Sequence, residues 1–179
     1  MLSQLHSSLA HISECTYPPV EKWDPPFCGQ IPLHIDHAGQ WWYDGSLIKR
    51  PALVRLFSRV LKREGERYFL VTPVEKVEIT VDDVPLLIVT WQRLGDSPNA
   101  PIQCHSSTDD LVTISIEHPI EMRFNAHAGC DIPYLYMRNN LWAKVQQNVY
   151  YQFAEALDII EGNAFLASGD YLAHFGTIE

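Results

Sequence analysis

Basic residues are scarce in the second half of this 179-residue chain: residues 96–179 hold three Lys/Arg against eleven Asp/Glu, whereas residues 1–95 hold ten against eleven. With a net charge of −9, the chain has no global attraction for nucleic acid or for an anionic membrane, and any basic site is confined to the first half. Cysteine is sparse too. Cys15, Cys28, Cys104 and Cys130 form no C-x-x-C pair, and a chain this long needs no covalent staples, so reduced thiols in a cytoplasmic protein are expected. No apolar run approaches membrane-spanning length. The opening MLSQLHSSLAHISECTYPP lacks the basic leader and apolar stretch of a signal peptide, which again points to the cytoplasm. The Gly-x-Ser-x-Gly elbow and Gly-rich phosphate-binding loops are absent as well. No reaction is supported, and no catalytic residue, metal or cofactor is assigned.

What is present describes an ordinary folded protein, 46% hydrophobic and 20% charged, large enough for one domain or two small ones. The expected class is α+β: two small strand-rich modules, each with one main helix, preceded by an N-terminal arm. The expected boundaries are 1–24 for the arm, 25–88 for the first module and 89–179 for the second. Leu2, Leu5, Leu9 and Ile12 recur at helical spacing, and Pro18 and Pro19 stop that helix. IPLHID and WWYDG read as a hairpin turning at residues 37–40. Pro51 opens a helix expected to run through Arg63 to Gly65, burying Leu53, Val54, Phe57, Val60 and Leu61. YFLVT, VEITV, LLIVTWQ, IQCHS, LVTISI, IEMRF and PYLYM read as strands. A second long helix is expected over residues 141–160, capped by Asn139 or Asn140 and ended by Gly162, with a hairpin around Gly169-Asp170 after it.

The strand Val77–Asp82 is echoed by Val112–Glu117 in alternation and in the proline that follows each. A looser echo links residues 42–61 to 135–154. These could mark two related modules or convergent strand patterning.

Several groups invite chemistry. From Lys49 to Arg67 there are seven basic residues against Glu64 and Glu66, and Lys49, Arg55, Arg59, Lys62 and Arg63 form a candidate basic patch for an anionic ligand. The plainer reading is a solvated helix face. Trp41 and Tyr43 share one side of their strand and could line a groove or belong to the core. Tyr134, Tyr136 and Arg138 alternate along PYLYMR, a candidate small-ligand wall; core tyrosines with a surface arginine are the alternative. Arg50, Glu75 and Lys76, with Arg138, are candidates for a cleft between the modules. His34, Asp36 and His37 converge poorly for a metal, as do Cys104, His105, His127 and Cys130. Asp82, Asp83, Glu117 and Glu121 read as turn caps or solvated strand ends.

PPVEKWDPPFCG at 18–29, DGSLIKRPALVRLFSRVLKREGERYFLVTPVEKVEITVDD at 44–83, Glu117-His118-Pro119 and PYLYMRNNLWAKV together resemble the DUF1285 family of uncharacterised bacterial proteins, over residues 18–160. The family's recurring positions match Trp42, Gly45, Ile48, Arg50, Leu56, Phe57, Leu70, Thr72, Pro73, Glu75, Lys76, Val77, Pro133, Tyr134 and Arg138. The resemblance implies that the two α+β modules are structurally related, with a cleft between them; it also implies no established enzymatic activity and a suggested role in small-ligand binding or signal transduction. The chain departs from the family at Ser106-Ser107-Thr108, where a Thr-Asn turn is usual, and at the neutral Gln147 and Asn148. A ligand-binding or regulatory protein is therefore the first expectation. A protein–protein interaction module, homodimeric through its arm or aromatic strand, is the second, and an enzyme the third.

Overall fold

The chain folds as two compact units, residues 1–85 and 86–179. The computed structural model describes residues 2–9 and 17–178. Ile12 and Cys15 lie outside the described residues.

In the first unit the arm begins with α1 (Leu2–Leu9), whose Leu5 and Leu9 are fully buried, and continues through a single 3-10 turn at Val20–Lys22. The body follows as β1 (Phe27–Ile35), β2 (Trp41–Tyr43), β3 (Ser46–Leu47), α2 (Pro51–Arg59), β4 (Leu61–Glu64), β5 (Arg67–Val71) and β6 (Lys76–Val81). The strands form one sheet in the order β3-β2-β1-β6-β5-β4, with β1 parallel to β6 and the other neighbours antiparallel. Side chains directly opposite one another share a face. Ile35 opposes both Trp41 and Val81, and this face carries the core residues Ile31, Leu33, Val77 and Ile79. α2 covers it, stacking Phe57 on Trp41 at 6.5 Å. The face away from α2 carries Gln30, Pro32, His34, Trp42, Glu78 and Thr80.

The helix expected to reach Arg63 ends at Arg59. Val60 leaves helical geometry, and Leu61–Glu64 pairs with β5 instead. Val60 and Leu61 are buried as the apolar spacing requires, but they reach the core from the helix end and a strand.

The second unit contains β7 (Leu86–Arg93), β8 (Ile102–Ser106), β9 (Leu111–Thr113), β10 (Ile120–Asn125), β11 (Cys130–Arg138), β12 (Leu141–Val145), α3 (Gln147–Glu155), β13 (Asp158–Ile160), β14 (Asn163–Ser168) and β15 (Tyr171–Thr177). Its main sheet runs β10-β11-β12-β7-β8-β9, with β12 parallel to β7. Numbered within their units, both sheets therefore have the strand order 3-2-1-6-5-4, closed by a parallel pairing of first and last strands. The two modules are structurally similar, but the echo noted above does not mark the repeat. β6 corresponds to β12, whereas β9 corresponds to β3. The helices also differ in place: α2 lies between the third and fourth strands, and α3 follows the sixth.

The long helix expected over 141–160 is a strand, a short helix and another strand. Asn139 and Asn140 have φ of 47° and 59° and form the tight turn between β11 and β12. Glu161 and Gly162, at 50° and 78°, do the same between β13 and β14. These positive angles are the signature of a hairpin turn that matches strand twist. β9 also stops at Thr113: Ser115 and His118 exchange backbone hydrogen bonds at 3.1 Å, and Ile116 is exposed. α3 packs on β7 through Phe153 against Trp91 and meets β15 through Phe175. The third sheet, β13-β14-β15, is tied to β7 and β8: buried Ser168 Oγ accepts from Ile102 N and donates to the Ile114 carbonyl, and Arg93 donates to the Ala100 and Ala167 carbonyls. No helix among the described residues is long and apolar enough to cross a membrane.

Candidate functional site

The expected basic patch does not lie on one helix face. Arg55 and Arg59 are on α2, with Arg59 over the Tyr17 ring, whereas Lys62 and Arg63 lie on β4 and point to opposite faces of the sheet. Lys62 donates to the Trp23 carbonyl at 3.1 Å and pairs with Glu64; Arg63 stacks over Tyr68 and reaches Glu66. Lys49 and Arg50 are exposed just before α2, and the Arg50 carbonyl accepts the first hydrogen bonds of that helix.

Trp41 is core beneath α2 and Tyr43 is half-buried on the same face. Thr72 builds the turn before β6: its Oγ1 accepts from Val74 N and Glu75 N, and its N–H donates to the Glu75 carbonyl. Glu75 Oε1 is buried and accepts no hydrogen bond. Lys76 is engaged, with Nζ 3.1 Å from Glu64 and over the Phe69 ring. Lys76 hydrogen bonding holds the Glu64 carboxyl below its ordinary range against the upward push of burial, with further help from Lys62.

In the second unit, Tyr134 and Tyr136 share a face, but the β11–β12 pairing slips between Tyr136 and Arg138 so that Arg138 opposes Leu141 rather than continuing that face, and each of the three is tied into the fold. The Tyr134 hydroxyl accepts from Asn125 Nδ2 at 2.8 Å, and that of Tyr136 accepts from Asn140 N. Tyr136 packs edge-on against Trp142, and the Arg123 guanidinium sits 3.9 Å from the Trp142 ring centre. Arg138 Nη1 donates to Asp110 Oδ1 at 3.0 Å, while Ser106 and Thr108 both donate hydroxyl hydrogens to Asp110 Oδ2 at 2.6 Å. Ser106, Thr108 and Asp110 are all buried. Ser106 and Thr108, in the stretch IQCHSSTDD, are thus the hydroxyl donors that hold a buried carboxylate.

A more open feature lies elsewhere. On the sheet face away from α2 there is a shallow trough of about 570 Å³ lined by Gln30, Ile31, Pro32, Leu33, His34 and Thr80. Its origin is in the strand register. Between Gln30 and His34, β1 advances four residues while β6 advances two, from Glu78 to Thr80, so the parallel ladder slips. Such irregularities re-aim side chains and free backbone groups. Gln30 Nε2 donates to Thr80 Oγ1 at 3.2 Å, and His34 Nε2 lies 2.7 Å from Asp82 Oδ1. His37 Nε2 is 4.0 Å from the other Asp82 oxygen. Asp36 closes the neighbouring turn: its Oδ1 accepts from Ala38 N and Gln40 N and its Oδ2 from the Trp42 indole. Burial pushes the Asp36 carboxyl up, but these three hydrogen bonds and nearby His34 together hold it below its ordinary value. Reading by residue type marked His34 as a poor metal ligand and missed Gln30 and Thr80. The available signal was Gly29, at φ 96°, because a glycine inside a strand often marks a bulge. No group of three or more His, Cys, Asp or Glu among the described residues is placed to hold a metal ion.

Comparison with known proteins agrees with this architecture. The N-terminal domain of DUF1285, a domain of unknown function, matches residues 18–84, and the DUF1285 C-terminal domain matches residues 85–171. A crystal structure of a DUF1285 family protein from Silicibacter pomeroyi DSS-3 is 35% identical, covers 97% of this chain and 95% of its own, and superposes with a TM-score of 0.89. A DUF1285 family protein from Shewanella baltica OS155 is 30% identical over 72% of this chain and 94% of its own, with a TM-score of 0.57. No curated protein matches. With both domain models matched in order and a relative at 35% identity over nearly the whole length, this chain belongs to the DUF1285 family.

Proposed function

We propose that this protein is a cytoplasmic small-ligand-binding protein with a regulatory role, and that its first unit takes a neutral, hydroxyl- or amide-bearing molecule in the trough at the β1 irregularity. The observation that carries this reading is the combination of an open trough of about 570 Å³ with Gln30, His34 and Thr80 side chains at its surface. That volume falls within the usual range for small-molecule sites. Gln and Thr each donate and accept, and His34, tied to Asp82 through Nε2, presents Nδ1 to a ligand. Exposed Pro32 supplies apolar contact beside these groups. Charge argues against an anion here. Asp36, Asp82 and Glu78 lie on or beside this face, and the nearby Arg67 is held by Glu78. Free thiols at Cys28, Cys104 and Cys130 support the cytoplasmic placement.

The test is an amide chemical-shift titration of the whole chain with glucose as the neutral probe and inorganic phosphate as the anionic one. Glucose should shift residues 30–34 and 80, phosphate should not, and Gln30→Ala should weaken the glucose response about tenfold. A response of these residues to phosphate alone, or to neither probe, overturns the proposal.

A further inference from the structure

The second unit has a trough of its own, about 160 Å³, lined by Thr90, Trp91, Gln92, Gln103, His105 and Leu111. Three independent features relate it to the first. It lies along β7, which the shared strand order makes the counterpart of β1. It adjoins a register slip, here between Ile88 and Thr90 in the pairing of β7 with β8. It also opens on the face away from the main helix: Thr90 opposes His105 and Gln92 opposes Gln103, while Trp91 and Cys104 form the intervening pair that faces α3.

The chemistry corresponds as well. Gln30, Thr80 and His34 in the first trough are matched in type by Gln92, Gln103, Thr90 and His105 in the second. In each, a histidine Nε2 lies near an aspartate oxygen: His34 is bonded to Asp82 at 2.7 Å, and His105 is 3.4 Å from Asp109. Gln92 Nε2 donates to Gln103 Oε1 at 3.1 Å, leaving the Gln103 amide hydrogens, the second lone pair of the Gln103 oxygen and the Gln92 oxygen for a ligand. Trp91 is fixed by its indole N–H donating to Gln152 Oε1, and exposed Leu111 supplies an apolar rim. The two differ in direction, the first opening beside the sixth strand of its module and the second over the second and third.

We infer that the trough of Thr90, Gln92, Gln103 and His105 is a second binding site for the same class of neutral, hydrogen-bonding small molecule, so that one chain takes two. The inference rests on the reading of the first trough. Its smaller volume restricts it to a compact molecule, or to a single ring of a larger one.

The whole chain titrated with glucose distinguishes the cases, with His34→Ala and Gln103→Ala as variants and unaffected amides elsewhere as the check on folding. Two saturating sets of shifts are expected, one at residues 30–34 and 80 and the other at 90–92 and 103–105. His34→Ala should remove only the first set and Gln103→Ala only the second. Shifts confined to the first set overturn the second site while leaving the proposed function intact. Shifts confined to the second set overturn the first trough and the count of two. No shift in either set overturns both.

Discussion

Arg138 ends a strand beside two tyrosines, and alternation alone makes it look available to a ligand. Its guanidinium instead meets Asp110, which is buried and already accepts hydroxyl hydrogens from Ser106 and Thr108. A buried charge is tolerated when its partners are complete, and removing one partner leaves the other uncompensated. Asp110→Ala should therefore lower unfolding stability by about 3–5 kcal/mol in urea denaturation. Asp110→Asn, which keeps acceptor capacity on one side, should cost less. Glu75 presents the opposite case. Its carboxylate has a buried oxygen with no hydrogen bond, an arrangement that costs on the order of 1–3 kcal/mol where no partner compensates. Residue types identified both positions; only the contacts separate a satisfied charge from an unsatisfied one.

At the level of elements, the clearest lesson comes from residues 141–160. Leu141, Val145, Val149 and Phe153 are spaced by four, and all are buried. A spacing of four is close to one helical turn and is also twice the strand repeat, so this pattern alone cannot separate the two. Asn139-Asn140 carried the missing information. Two consecutive asparagines suit a hairpin turn with positive φ at both central positions as well as they suit a helix cap. Placing a β-branched residue there tests the assignment: Asn140→Val should cost about 1–2 kcal/mol in thermal or urea unfolding. Asn140→Gly should be neutral or stabilising. The hairpin at 31–43, the strands β5, β6 and β7, and the hairpin at Gly169-Asp170 were all legible because their alternation or short apolar runs were bounded by unambiguous turn residues. α2 was legible in its start, set by Pro51, but not its end, because Val60 and Leu61 continue the apolar spacing into β4.

The whole molecule is built from two units of one strand order, and its response to acid follows from how carboxylates are held within them. Asp36 and Glu64 both have carboxyls held below their ordinary values of 3.8 and 4.5. A depressed carboxylate contributes stability that is fully present above the unfolded value and is lost as pH falls through the lower folded value. Stability should therefore be flat above about pH 5 with respect to these groups and should decline below their ordinary values. Asp36→Asn should lower stability at neutral pH and make the acid limb shallower, as followed by urea midpoints across pH.

The sequence by itself determined the class of architecture, the family and most strand positions, because alternation, turn residues and a long specific motif are properties of neighbours along the chain; two related modules followed from the family resemblance, not from the strand echo. Tertiary structure decided which strands correspond between the modules, where each helix ends, and that Tyr134, Tyr136 and Arg138 are committed to packing and hydrogen bonds. It also made the troughs. Each lies at a slip in register between strands, and register is a relation between segments tens of residues apart that no local pattern encodes.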